Sequence, residues 1–175
     1  MRYDVIALGE LLIDFTENGL SARSNPVFEA NPGGAPCNVL AMLNKLGRKT
    51  AFIGKVGNDT FGHMLKSVVE AAGTDVTNLF MDDTVHTTLA FVHKLPDGDR
   101  DFSFYRDPGA DMMLTKSEID EDFIKGSKIF HFGTLSSTHS AVREATRYAI
   151  DLAKKHGLMI SFDPNLRPPL WPSLQ

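Results

Sequence analysis

Two adjacent glycines in the run Asn31-Pro32-Gly33-Gly34-Ala35-Pro36-Cys37-Asn38 lead into a stretch with helical spacing that opens with proline. Lacking a Cβ, Gly33 and Gly34 can turn through positive φ and bring backbone N–H groups within hydrogen-bond reach of a ligand. Pro36 suits a first helical turn, where its missing N–H costs nothing. Asn38 would project an amide toward whatever the glycines hold. The chemistry of such a corner is hydrogen bonding to a small polar molecule; the plainer reading is an ordinary strand-to-helix turn. Other chemistries find less support. His63, His86, His93, His131, His139 and His156 show no metal-ligand spacing, and there is neither a G-x-x-x-x-G-K-[ST] phosphate loop nor a G-x-S-x-G nucleophile elbow.

Regular elements must hold these groups in place, and the apolar pattern supplies them. Val39, Met42, Leu43 and Leu46 recur at helical spacing before Gly47, which predicts a helix over 36–46. Apolar runs from Tyr3 to Leu8 and Thr50 to Val56 read as strands buried on both faces of a parallel sheet, and Lys128 to Phe132, before Gly133, and Leu158 to Phe162, before Asp163-Pro164, are two further strand candidates. Helical patterns fall between them. One covers 60–72 with Phe61, Leu65, Val68, Val69 and Ala72 on one face, capped by Asp59. Another covers 140–156 with Val142, Ala145, Ala149 and Leu152 inward and Gly157 as its stop. This β-α-β-α order predicts an α/β fold: an open, mostly parallel, Rossmann-type sheet flanked by helices, with ligands outside the carboxyl ends of the strands.

Two stretches break the rhythm. Thr84 to Lys94 and Asp101 to Arg106, on either side of the turn-rich Leu95-Pro96-Asp97-Gly98-Asp99, predict a hairpin. With Leu11 to Thr16 and Val27 to Ala30 they would form a small antiparallel β lid within 11–30 and 84–106, or else an edge extension of the main sheet. A lid suits an enzyme that must exclude water. The Pro-rich end, Arg167-Pro168-Pro169-Leu170-Trp171-Pro172, excludes a regular helix yet carries a tryptophan, as if the chain stopped in mid-structure.

Composition narrows the class. With 42% hydrophobic and 23% charged residues over 175, the chain fits a single soluble globular domain and neither a disordered nor a membrane protein. No run has the length of a signal-peptide core or a membrane span, so a cytoplasmic location is expected. The single cysteine, Cys37, suits a reducing compartment; it could be activated by the helix N-terminus, but a packing role is expected. The net charge of −4 and scattered basic residues give no footprint for nucleic acid or a membrane surface, leaving small molecules as partners.

Five runs, in order, resemble signatures of the ribokinase-like (PfkB) carbohydrate kinases, most closely the fructokinase branch, over essentially the whole chain. They are Gly9-Glu10-Leu11-Leu12-Ile13-Asp14; Gly33-Gly34-Ala35-Pro36-Cys37-Asn38 with Gly47; Gly57-Asn58-Asp59-Thr60-Phe61-Gly62; Phe104-Tyr105-Arg106; and Asp163-Pro164-Asn165-Leu166-Arg167. Leu40 departs from the pattern, which usually has a small residue there. The resemblance implies transfer of the γ-phosphate of ATP, with Mg²⁺, to a terminal hydroxyl of a hexose. It places Asp14, Gly33, Gly34 and Asn38 on the sugar hydroxyls, which agrees with their hydrogen-bonding capacity. Arg106 would reach the sugar from the lid and Arg167 from the other side, while Asp163 and Asn165 would lie near the transferred phosphate and its Mg²⁺. Plainer roles exist for three of these: a strand-end cap for Asp14, a rim ion pair for Arg106 and a turn for Asp163-Pro164.

The family's second signature, Gly-Ala-Gly-Asp at a helix start, supplies the base and the anion hole, and no such run occurs here. Gly109-Ala110-Asp111 lacks the second glycine and reads as a loop. The resemblance is therefore to an N-terminal half, 1–175 of a longer α/β sugar-kinase domain, with no catalytic base, no nucleotide-binding half, and no turnover expected from it alone. Other readings are a kinase for a sugar acid such as 2-keto-3-deoxygluconate, with Arg106 and Arg167 pairing its carboxylate, and a non-catalytic sugar-binding or interaction module. A homodimer through the lid is compatible with each.

Overall fold

Alternation of buried apolar runs with amphipathic stretches produces two sheets in the computed structural model, which describes residues 2–94 and 100–171. In chain order the strands and helices are β1 (Tyr3–Leu8), β2 (Leu12–Leu20), β3 (Pro26–Gly33), α1 (Ala35–Lys45), β4 (Thr50–Gly57), α2 (Thr60–Ala71), β5 (Thr74–Asp82), β6 (Leu89–Lys94), β7 (Arg100–Tyr105), α3 (Glu121–Ile124), β8 (Ser127–Gly133), α4 (Ser140–Lys155) and β9 (Met159–Asp163). The main sheet is parallel throughout in the order β5-β4-β1-β8-β9. Its central strand β1 sends Tyr3, Ile6 and Leu8 to a core shared with α3 and α4, and Val5 and Ala7 to a core shared with α1 and α2. Burial on both faces is why the inner strands β1 and β4 are almost continuously apolar, whereas the edge strands β5 and β9 are more exposed. Among the described residues no helix is long and apolar enough to cross a membrane.

The second sheet, ordered β3-β2-β6-β7, is the predicted lid, with one correction. It is mixed rather than antiparallel, because β2 and β6 pair in parallel from Ile13↔Leu89 to Thr16↔Val92. Each of these strands follows a strand of the main sheet, β1 or β5, and each leaves the body in the same direction. No hairpin turn relates them, so nothing enforces antiparallel pairing. The hairpin between β6 and β7 is formed as predicted, while its turn, Leu95 to Asp99, lies outside the described residues.

The face that α1 buries also differs from the expected stripe. Pro36, Cys37 and Leu40 are buried, whereas Val39, Met42 and Leu46 are exposed. The rotation of this helix is set where it starts. Gly34 enters at φ 123°, and the first helical amide, Ala35 N–H, is held by Glu10 at 3.0 Å. The helix over 140–155 behaves as its pattern indicates, with Val142, Ala145, Ala149 and Leu152 all buried. At α2 the Asp59 carboxylate accepts from Gly62 N–H at 2.8 Å, and it also takes both the N–H and the hydroxyl of Thr87 at 2.8 Å. One cap thereby fixes both the helix and the connector that leads into the lid.

Candidate functional site

Outside the carboxyl ends of β1 and β9, beneath the lid, lies a cavity of about 320 Å³ whose walls include Glu10, Asp14, Gly34, Asn38, Phe102, Phe104, Asn165 and Arg167. Strand register explains the lid's contribution. Asp14 on β2 pairs with Ala90 on β6, which pairs with Phe104 on β7, so these side chains share the face that looks into the cavity. Phe102, two residues before Phe104, falls on that face as well. A larger cleft of about 780 Å³ opens at the opposite, amino end of the sheet beside Arg2, Arg48 and Lys66. It lacks the glycine corner and lies away from the end where parallel sheets hold their ligands.

The two glycines are required by contacts as well as by conformation. A Cβ on Gly33 would collide with the Asp14 carboxylate, and one on Gly34 would collide with the Glu10 carbonyl oxygen at a φ of 123° that other residues rarely adopt. Gly34→Ala is therefore expected to cost about 2–4 kcal/mol of stability through backbone strain and overlap. Urea unfolding checks this, and a loss below about 0.5 kcal/mol would mean the corner relaxes freely.

Charge in the cavity is mixed. Asp14 is half-buried; loss of water raises its pKa, and the nearby Arg167 opposes that rise. Arg167 lies with its guanidinium 5.6 Å from the Phe102 ring centre. Asn38 is exposed in the first turn of α1, and Asn165, at φ 38°, donates its N–H to Asp163 Oδ1 at 3.1 Å. Asp163 itself ends β9 as an exposed residue and is not part of the cavity wall. Glu10, only 3% exposed, is pushed up to about 7, chiefly by burial. Cys37 is buried, and burial together with Glu10 drives its thiol pKa upward, opposite to the activation a helix N-terminus could give.

Arg106 stands apart from this group. Its Nε and Nη2 donate to Asp111 Oδ2 at 2.9 and 2.6 Å, and its Nη1 donates to Thr138 Oγ1 at 2.7 Å. The Leu135 carbonyl accepts from Nη2 at 3.2 Å, so the guanidinium is engaged at the base of the lid, and Arg106 lines an adjoining cavity of about 300 Å³ that shares Phe102 and Phe104 with the first. Asp111 in turn accepts from the Thr88 hydroxyl at 2.5 Å. The segment read as a loop contains a 3-10 turn, Ala110–Met113, and it buries this aspartate. Among the wall residues, Glu10, Phe102 and Phe104 were not among the site residues expected from sequence. The i, i+2 spacing of the phenylalanines on a lid strand was the available signal.

A model of the pfkB family of carbohydrate kinases matches residues 2–175. The chain belongs to that family. Fructokinase-2 of Solanum lycopersicum is 44% identical over 173 residues, which are 98% of this chain and 53% of the relative. A crystal structure of fructokinase from Xylella fastidiosa superposes with a TM-score of 0.93 at 33% identity, covering 100% of this chain and 54% of that one. The same enzyme with bound ATP gives 0.91 at 34% identity, covering 100% and 52%. A relative from E. coli, crystallised in complex with ATP and Mg²⁺, gives 0.84 at 29% identity, covering 96% and 56%. The chain thus spans about half the length of the relatives it matches.

Proposed function

We propose that this chain is the sugar-binding portion of a cytoplasmic ATP-dependent sugar kinase, a fructokinase that phosphorylates a terminal hydroxyl of a hexose. The observation that carries this reading is the cavity in which Asp14, Gly34, Asn38 and Arg167 converge at the carboxyl edge of a parallel sheet. A carboxylate that accepts from hydroxyls, backbone amides that donate, and a side-chain amide that does both form a donor set for a polyol. Phe102 and Phe104 would cover the apolar face of the ring and exclude water.

The residues present do not fit a complete phosphotransfer site. The only local likeness to the missing signature, Gly109-Ala110-Asp111, has its carboxylate buried and committed to Arg106 and Thr88, so it cannot take a proton from a substrate hydroxyl. ATP and Mg²⁺, found in structures of relatives, would meet their base and anion hole on residues outside this chain, with Asp163 and Asn165 at the nearer edge. The purified chain is expected to release no ADP above background with D-fructose and MgATP. Robust fructose-dependent ADP release would overturn this reading.

A kinase for a sugar acid such as 2-keto-3-deoxygluconate is the second reading. Arg167 in the cavity wall favours it, but Arg106, the other cation it relied on, is already paired. The lid also has an outer face where Phe15, Phe28, Phe91 and Tyr105 cluster, with Phe28 38% and Tyr105 66% exposed. We assign that face to a homodimer contact. Sedimentation velocity is expected to show a dimer that Tyr105→Arg dissociates, and a monomeric wild-type chain would contradict the assignment.

A further inference from the structure

We propose that Glu10 is a second carboxyl of the sugar site, oriented by backbone N–H groups of Ala35 and of Glu10 itself and with acceptor capacity left over for a substrate hydroxyl. The inference rests on the reading of this cavity as a sugar site. Glu10 lies two residues beyond the end of β1, and although only 3% exposed it forms part of the cavity wall. Helix α1 starts after Gly34, which has no side chain with which to cap it, and Glu10 Oε1 supplies the missing acceptor to Ala35 N–H at 3.0 Å. That bond holds the carboxyl in one orientation, beside the glycine corner and on the same cavity as Asp14.

A helix cap alone needs no charge here, because a glutamine amide oxygen would accept the same bond. The acid is in fact disfavoured by its surroundings. Cys37 on α1 and Asp14 on β2 bring no positive charge to it. In the segment after β7, Asp111 opposes its ionisation, while Arg106, which favours it, is itself paired to Asp111. Arg167, beyond β9, is the remaining cation in the cavity wall. With its pKa raised from 4.5 to about 7, Glu10 penalises the fold progressively as pH rises through that window and by a constant amount above it. A hydroxyl donated by the sugar would relieve this penalty, and sugar affinity would then be coupled to the ionisation of Glu10.

The test is calorimetric titration of D-fructose into the wild-type chain, Glu10→Gln and Asp14→Asn at pH 6 and pH 8, with a thermal melt of each. Glu10→Gln is expected to melt no lower than wild type at pH 8, since the cap is kept and the buried charge removed. It should nevertheless bind fructose at least about tenfold more weakly at that pH, the size of effect of a lost charged hydrogen bond. Wild-type affinity should rise between pH 6 and pH 8, and the variant should be flat. Binding by Glu10→Gln within twofold of wild type at both pH values, with Asp14→Asn impaired, would make Glu10 a helix cap only. Absence of fructose binding by the wild type, or unimpaired binding by Asp14→Asn, would bring down the sugar-site reading and this inference with it. Carboxyl ¹³C NMR of the wild-type chain gives a check that needs no variant. Saturating fructose should lower the Glu10 titration midpoint, and an unmoved midpoint would overturn the proposal.

Discussion

Replacing Asp111 by alanine is expected to cost about 3–5 kcal/mol of folding stability, a large part of what a domain of this size possesses. Arg106 and Asp111 pair at 2.6 Å with side chains 2% and 3% exposed, so removing the carboxylate strands a guanidinium that water cannot reach. Thr138 and the Leu135 carbonyl would remain as neutral partners, too few for its donors. The lid hangs on this cluster: Thr88 precedes β6, Arg106 follows β7, and Leu135 and Thr138 belong to the segment after β8. Its loss should therefore loosen the lid as well as the fold. The double variant Arg106→Met with Asp111→Leu should cost much less than the sum of the single changes, because it removes both charges and leaves apolar volume. Chemical denaturation of the three variants decides the matter. A loss under about 1 kcal/mol for Asp111→Ala would mean that the pair is solvated and does not anchor the lid.

Asp14→Ala should have the largest effect on ligand binding. Asp14 is half-buried on the cavity face of β2 and packs against Gly33, whose missing side chain makes room for it. A carboxylate that accepts two hydroxyls contributes two charge-assisted bonds, so its removal should weaken fructose binding about 100-fold, roughly 3 kcal/mol. Stability should change little, or rise slightly, since burial already raises the pKa of this group and penalises its charged form. A fructose affinity within threefold of wild type would remove Asp14 from the site.

What could be read from sequence follows from how local the determining forces are. Strands β1 and β4 were legible because a strand buried on both faces must be apolar along its length, and β8 and β9 because their short apolar runs stop at Gly133 and at Asp163-Pro164, although β9 is an exposed edge strand. α4 was legible because its buried stripe repeats over four turns. β5 was not, since it is an edge strand whose run Thr74-Asp75-Val76-Thr77-Asn78 mixes polar and apolar residues around an irregular register with β4. The buried face of α1 has no local signal, because the start of the helix is held by Glu10, 25 residues upstream of the amide it binds. The same long-range character hid the fate of Arg106. Its partner Asp111 is close in sequence, yet only the burial of both against the segment after β8 turns an exposed lid arginine into a structural one. The glycine turn into α1 was visible because its requirement is local: backbone at positive φ at Gly34, just ahead of a helix that opens with proline. Glu10, an acid at the end of a buried strand, carried no local sign that it faces inward.

The most direct test of the account is isothermal titration of the purified chain with D-fructose. Saturable one-to-one binding, stronger than that of 2-keto-3-deoxygluconate and unchanged by MgATP, is the result expected if the cavity under the lid is the sugar site of a kinase whose nucleotide side lies elsewhere. A flat titration with fructose, or preference for the sugar acid, would contradict it.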